Sequence, residues 1–186
     1  MKTILLVFTM LLAVSNKNYK TVLKAKALNY LEITFTQEAK LKAYHNYKYN
    51  EVLDLIKLHE GFRSNPYDDG GYPCIGYGQR LKFFPNFKIK HSITRLEADS
   101  ILKISFENHL KLVDYYFPGL NTLQRYAVAH MSYGIGIGNV IKAQYIYKDN
   151  GKWKINKYRL YNYRKVDRTK KNYRDNRVFE YELFNS

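Results

Sequence analysis

The sequence predicts an α+β fold, a mainly α-helical core carrying a small glycine-rich antiparallel β lobe with the active-site cleft. Three observations lead there. Apolar side chains recur at helical spacing before Glu60 and again after Thr94. Gly70, Gly71, Gly76 and Gly78 gather with Pro66, Pro73 and Pro85 in one short stretch. Between them Tyr72, Ile75 and Tyr77 alternate with turn residues, as in short antiparallel strands. A chain of 186 residues is long enough for one substantial domain.

The N-terminus reads separately. Residues 1–15 carry Lys2, an apolar run from Ile4 to Val14, and small residues at Ala13 and Ser15. This is the pattern of a secretory signal peptide, with cleavage expected after Ser15. The run is shorter than the roughly 20 residues of a relaxed membrane span. Export through the secretory pathway is therefore expected, with an uncleaved, membrane-associated N-terminus as the alternative. Residues 16–49 form a basic extension, its lysines outnumbering Glu32 and Glu38. Electrostatic attachment is its simplest role and a spacer the plainer one.

From residue 50 to 186 the helical signals sharpen. Asn50 is placed as a helix cap, and Val52, Leu55, Ile56 and His59 fall near one face. Glu60 lies in the last turn and Gly61 supplies the left-handed terminator. Thr94 and Glu97 spell a capping box. Ala98, Leu102, Phe106, His109, Leu110 and Val113 then mark a long amphipathic helix. Phe117-Pro118-Gly119 breaks it, and Asn121 with Gln124 starts another, with Leu123, Ala127, Val128 and Met131 inward. That helix is expected to end in the glycines 134, 136 and 138. The tail from Lys152 is expected to be a basic helical surface, with Arg174, Arg177, Glu180 and Leu183 on one face.

The formal charge of +15 implies an anionic partner such as nucleic acid, anionic lipid or bacterial wall polymer. No nucleic-acid reader motif is present, and export argues against that partner. Cys74 is the only cysteine, so no internal disulfide framework is possible. The five histidines are scattered and form no zinc pattern with it.

The chemistry gathers in residues 60–78. An acid at a helix end, with a second carboxylate on a turn a few residues later, can face two carboxyls across a cleft. That pair suits glycosidic bond cleavage, where one group protonates the leaving oxygen and the other stabilises charge or positions water. The bland reading of Asp68-Asp69-Gly70-Gly71 is a solvated turn. A carboxyl at a helix C-terminus opposes the dipole, and partial burial adds to that effect, so Glu60 is favoured as the protonated partner.

The ordered blocks resemble the phage-type lysozyme family of muramidases. They are Glu60-Gly61, Tyr67-Asp68-Asp69, Gly70-Gly71 and Cys74-Ile75-Gly76-Tyr77-Gly78. The likeness continues through Ile93–Ala98, Phe117–Asn121 with Gln124, Tyr133–Gly136, and Arg177, Glu180, Leu183 and Phe184. It covers roughly residues 50–186. It implies a lysozyme-like fold and hydrolysis of the β-1,4 bond between N-acetylmuramic acid and N-acetylglucosamine in bacterial peptidoglycan. Glu60 would be the general acid. Asp69 keeps the family's spacing from Glu60, and Asp68 keeps the spacing to Cys74; Asp69 is preferred. Cys74 stands where the family usually has a water-holding threonine. No cofactor and no metal are needed, and a monomer is expected.

Three positions depart from the family pattern. Cys74 replaces the threonine, Gln79 the usual histidine, and Gly134 an amide residue expected to touch substrate. Together they leave a second reading open, a catalytically weakened cationic protein that binds peptidoglycan or associates transiently with anionic membrane or wall polymers.

Overall fold

The computed structural model describes residues 17–83, 92–162 and 171–186, with side chains described from Phe35 onward except at 83 and 171–174. The stretch 1–15, expected from sequence to be a signal peptide, lies outside the described residues, as does most of the basic run 81–91. The chain divides into two compact units, residues 1–46 and 47–186. In the first, the described residues are helical, with Phe35, Leu41 and Tyr44 exposed. No helix among the described residues is long and apolar enough to cross a membrane.

The first helix, α1, spans Lys17–Glu60. Asn50 therefore sits inside a helix and caps nothing, which corrects the sequence expectation. The physical reason is plain: no glycine or proline occurs between Lys17 and Glu60, so nothing forces a break. Termination falls to Gly61, whose φ is +68° and whose N–H donates to the Lys57 carbonyl at 3.1 Å.

The glycine-rich stretch folds as an antiparallel sheet of β1 (Arg63–Asp68), β2 (Pro73–Gly76) and β3 (Gln79–Arg80), in that spatial order. Tyr67 pairs with Cys74 and Cys74 with Arg80. A 3₁₀ turn, Leu81–Phe83, follows. Gly76 is buried at φ +66°, and a Cβ there would fall 2.5 Å from Gln79 Oε1 and 3.3 Å from Ala98 Cβ. Glycine is what lets the sheet lie this close to the next helix.

That helix, α2 (Arg95–Tyr116), starts with both halves of the Thr94/Glu97 capping box. It buries Ala98, Ile101, Leu102, Phe106, Leu110 and Val113. Helix α3 (Thr122–Ile135) begins with a second capping box, Asn121 with Gln124, and buries Leu123, Ala127, Val128 and Met131 as its spacing foretold. Each large apolar side chain buried in this way contributes about 1.5–3 kcal/mol. Tyr49 ties α1 to α2, donating to Glu107 Oε1 at 2.7 Å while its ring meets Phe106 and Tyr126 edge-on.

Helix α3 stops at Gly136, φ +80°. Gly138, expected in the terminator, lies instead within the short helix α4 (Ile137–Lys142). The tail then departs from the sequence reading. Strands β4 (Ile146–Asp149) and β5 (Lys152–Ile155) form a hairpin, so the segment from Lys152 is not helical at its start. Asn150 and Gly151, both at positive φ, make the two-residue turn. An Asn-Gly pair between alternating residues is a hairpin signal, and the helical reading overlooked it. Trp153 closes the hairpin onto the core, its Nε1 donating to the Pro118 carbonyl at 2.9 Å. Helices α5 (Lys157–Tyr161) and α6 (Lys171–Asn185) complete the chain. Arg177, Glu180 and Leu183 do share one face of α6, and that face is buried; the Arg174 side chain lies outside the described residues.

Candidate active site

The end of α1 delivers Glu60 beside the turn that links β2 to β3. A Cβ on Gly78, at φ +83°, would sit 3.3 Å from Glu60 Oε2 and 3.9 Å from Tyr67 Oη. Glu60 as a residue is exposed, while its carboxyl lies close to Gly78. Loss of water around its carboxyl pushes the pKa up; a positive charge on His130 pulls it down, the Asp69 carboxylate pushes it up again, and the result is a rise.

The turn between β1 and β2 separates the two aspartates. Asp69 and Tyr72 exchange backbone hydrogen bonds, Asp69 N–H to the Tyr72 carbonyl at 2.9 Å and Tyr72 N–H to the Asp69 carbonyl at 3.3 Å. Gly70 and Gly71 between them both have positive φ, +62° and +86°. Two successive left-handed residues are the requirement of a tight two-residue hairpin. Side chains alternate along a strand, so Tyr67 and Asp69 share a face with their partners Cys74 and Tyr72, while Asp68 leaves on the other side. Asp68 Oδ1 accepts the Gly71 N–H at 2.9 Å. One carboxylate braces the turn; the other stands on the face that carries Tyr67 and Cys74.

Cys74 lies in β2 at 1% exposure. Burial raises its pKa first; Asp69, Asp68 and Glu60 add to that, and Arg80 opposes them. The thiol is therefore kept neutral. Tyr67 is raised by burial and by the neighbouring Cys74, Glu60 and Asp69, against the pull of Arg63. The Arg63 guanidinium lies over the Tyr67 ring at 4.3 Å, and Arg80 over Tyr72 at 4.0 Å. The sheet face thus surrounds its acids with stacked cations.

Gln79 proves to be a buried tie. Its Oε1 accepts the Tyr77 N–H at 2.8 Å and its Nε2 donates to Tyr133 Oη at 2.8 Å. Tyr133 in turn donates to the Tyr77 carbonyl at 2.6 Å. This ring of three bonds fixes the Tyr77–Gly78 turn against α3, and through it the wall that Glu60 meets. Gly134, on the last turn of α3, has nothing within 4 Å of an added Cβ. Space for a larger side chain is present there.

A buried polar cluster escaped the sequence reading. His130 Nδ1 lies 2.8 Å from Glu180 Oε1, and Arg177 Nη1 lies 2.9 Å from Glu180 Oε2. Glu180 is fully buried and both partners nearly so. On an exposed helix face an Arg177–Glu180 pair would be worth only a few tenths of a kcal/mol. Buried, it belongs to another class, in which removing one partner costs about 3–5 kcal/mol. Nothing short of the tertiary fold brings residue 130 to residue 180. Among the described residues no group of three or more His, Cys, Asp or Glu is arranged to hold a metal ion.

The family model described as phage lysozyme matches residues 57–173. The chain belongs to the phage lysozyme family. As a phage lysozyme it is a glycoside hydrolase, and the matched span contains Glu60, both aspartates, Cys74, Gln79 and Tyr133. Arg177 and Glu180 fall beyond it. Three solved structures are similar to this lysozyme. The muramidase domain of SpmX from Asticaccaulis excentricus is 19% identical, with 73% of this chain and 95% of that one covered at a TM-score of 0.45. The endolysin from Escherichia coli O157:H7 phage FAHEc1 is 20% identical, with 72% and 89% covered at 0.42. The active form of the P1 phage endolysin Lyz is 14% identical, with 72% and 82% covered at 0.49. No match was found among curated proteins.

Proposed function

We propose that this phage lysozyme hydrolyses the β-1,4 bond between N-acetylmuramic acid and N-acetylglucosamine in bacterial peptidoglycan. Glu60 is the general acid that protonates the glycosidic oxygen. Asp69 positions water or stabilises positive charge on the sugar. The Cys74 thiol lines the site in place of a hydroxyl, as a weak donor rather than a nucleophile, because its neutral form is favoured. The protein acts outside the cytoplasm after export directed by residues 1–15, and as a monomer.

One observation carries this reading: two neighbouring aspartates have different employment. Asp68 is engaged by the Gly71 amide, while Asp69 raises the Glu60 pKa from the sheet face that Tyr67 and Cys74 share. An acid that holds its proton more tightly, set against a second carboxylate on a neighbouring turn, is the division of labour that glycoside hydrolysis uses.

The test is clearing of purified peptidoglycan, followed by analysis of new reducing ends. Muramic acid ends are expected; glucosamine ends or peptide cleavage would reassign the reaction. Glu60→Gln and Asp69→Asn should each lower turnover about 100-fold with wall binding retained. Asp68→Asn should cost far less, and the reverse ranking would transfer the role to Asp68.

A second reading, a weakly active cationic wall-binding protein, draws on the open space at Gly134 where the family resemblance implies a substrate contact. Strong wall retention by the wild type with no new reducing ends would favour it.

A further inference from the structure

Arg80, on the third strand of the β lobe, has no part in the reaction as read from Glu60 and Asp69. The sheet nevertheless turns it to their side. Register sets Tyr67 opposite Cys74 and Cys74 opposite Arg80, so all three leave on one face. Asp69 and its partner Tyr72 lie two residues along that same face. Ile75 and Gln79, the next pair, take the other face and are buried. Two strand spacings, about 10 Å, separate the Arg80 backbone from that of Tyr67. Tyr67 Oη and Glu60 Oε2 both lie within 4 Å of a Cβ built on Gly78.

Arg80 is held in place but not neutralised. Its guanidinium lies over the Tyr72 ring at 4.0 Å, the diagonal contact that this register allows. Tyr72 is itself 42% exposed, and Lys82 Nζ lies 5.1 Å from the same ring. Arg125 and Arg177 each meet a carboxylate elsewhere in the molecule, at 2.6 and 2.9 Å. Among the described residues Arg80 meets none. Stacking takes up the flat face of a guanidinium and leaves its N–H edge for an acceptor in the same plane. That fork suits a carboxylate, which it grips with two parallel hydrogen bonds.

We propose that Arg80, stacked on Tyr72, reads a carboxylate of the substrate's peptide stem and makes the protein prefer peptide-bearing glycan to bare glycan. The proposal rests on the reading of the chain as a muramidase. N-acetylmuramic acid is the sugar that carries the stem peptide, and its glycosidic bond is the one proposed to be cut. The stem therefore leaves the glycan close to Glu60, on the scale of the two strand spacings between Arg80 and Tyr67. The plainer role for the same charge is to offset Asp69 on the shared face, and that role would act on every ligand alike.

The test reads binding, not turnover. The probe is the N-acetylglucosaminyl–N-acetylmuramyl disaccharide with its peptide stem, which lacks the bond a muramidase cuts. Titration calorimetry compares its free acid with the same molecule carrying amidated carboxyls. The wild type is expected to bind the free acid roughly five- to tenfold more tightly. Arg80→Gln should remove most of that difference. Arg80→Lys keeps the charge without the fork and should recover only part of it. Tyr72→Leu takes away the platform, should act in the same direction, and serves if Arg80→Gln fails to fold. Lys152→Gln removes one exposed charge from the separate β4–β5 hairpin and should leave the preference intact. An equal loss in Lys152→Gln would trace the preference to diffuse charge and overturn the proposal. A preference that survives Arg80→Gln, or is missing from the wild type, overturns it and leaves the muramidase reading standing. Binding of neither form overturns it too, and the clearing of peptidoglycan then shows whether the muramidase reading falls with it.

Discussion

Glu60 Oε2 lies 3.3 Å from the point where a Cβ on Gly78 would begin. The acid is thus shaped by a residue with no side chain, and the backbone of the β2–β3 turn forms its wall. Gly78→Ala would add a methyl group against that carboxyl and force a β-carbon residue to keep φ at +83°. A left-handed conformation costs a residue with a Cβ about 1–2 kcal/mol. The variant should lose roughly 1–2 kcal/mol in denaturant unfolding and at least about tenfold in turnover. Full activity in Gly78→Ala would mean that the wall can withdraw without consequence for the acid.

The raised Glu60 pKa has a cost in stability with a definite sign. A carboxyl whose proton is held more tightly in the fold than in the unfolded chain penalises folding once it ionises. From low pH, stability should fall as pH rises through the ordinary carboxyl range, and level off above the folded-state pKa. Glu60→Gln removes that penalty. Its Tm should match the wild type at low pH and exceed it near neutrality, while turnover falls about 100-fold. Thermal unfolding at several pH values reads the difference. A Gln variant less stable than wild type at neutral pH would contradict the raised pKa.

Much of this architecture was legible in the chain because local rules and tertiary packing agree. Thr94 with Glu97 and Asn121 with Gln124 announced helix starts, and the apolar spacing behind them became the core. The Gly70-Gly71 pair announced the tight hairpin. The misreadings have local causes too. Asn50 looks like a cap, but a cap matters only where the preceding residues are not helical, and those before it propagate the helix without a break. Lys152–Ile155 was given to a helix because the basic composition of the tail outweighed the Asn150-Gly151 turn. The His130–Glu180 contact had no sequence signal. It joins residues fifty apart, and a buried His–Glu bond obeys no periodicity. Gln79 had the opposite fate: read as a departure from a family pattern, it turned out to be the tie between the β lobe and α3.

Gly134 offers a gain-of-function test. It sits in the last turn of α3, its φ is not positive, and an added Cβ meets nothing within 4 Å. A glycine inside a helix costs about 0.5–1 kcal/mol relative to alanine. Gly134→Ala should therefore raise stability by roughly that amount and leave kcat unchanged. Gly134→Gln should add a donor and acceptor to the open space and lower KM for wall fragments several-fold. Equal KM in the Ala and Gln variants would place position 134 away from bound glycan.

Cys74 separates packing from chemistry, because threonine and valine at that position add the same branch and differ from one another only in a hydroxyl against a methyl. The thiol is buried, lies across from Tyr67 in the sheet, and is kept neutral by burial and by the nearby carboxylates. Valine would fill the site without a donor, at the cost of one added branch in a buried position. Threonine would replace the thiol with a stronger, smaller donor, at the risk of an unsatisfied hydroxyl. If the group at position 74 helps to hold the attacking water, Cys74→Thr should keep or increase turnover even at some loss of Tm. Cys74→Val, which carries the same added branch, should then lose turnover relative to the Thr variant. Alkylating reagents should modify the folded protein slowly, since a neutral thiol at 1% exposure is a poor nucleophile, and the modified fraction should be inactive. Kinetics and thermal unfolding on the same three proteins decide the matter. Rates that follow Tm rather than donor strength would leave Cys74 as a packed strand residue with no part in positioning water.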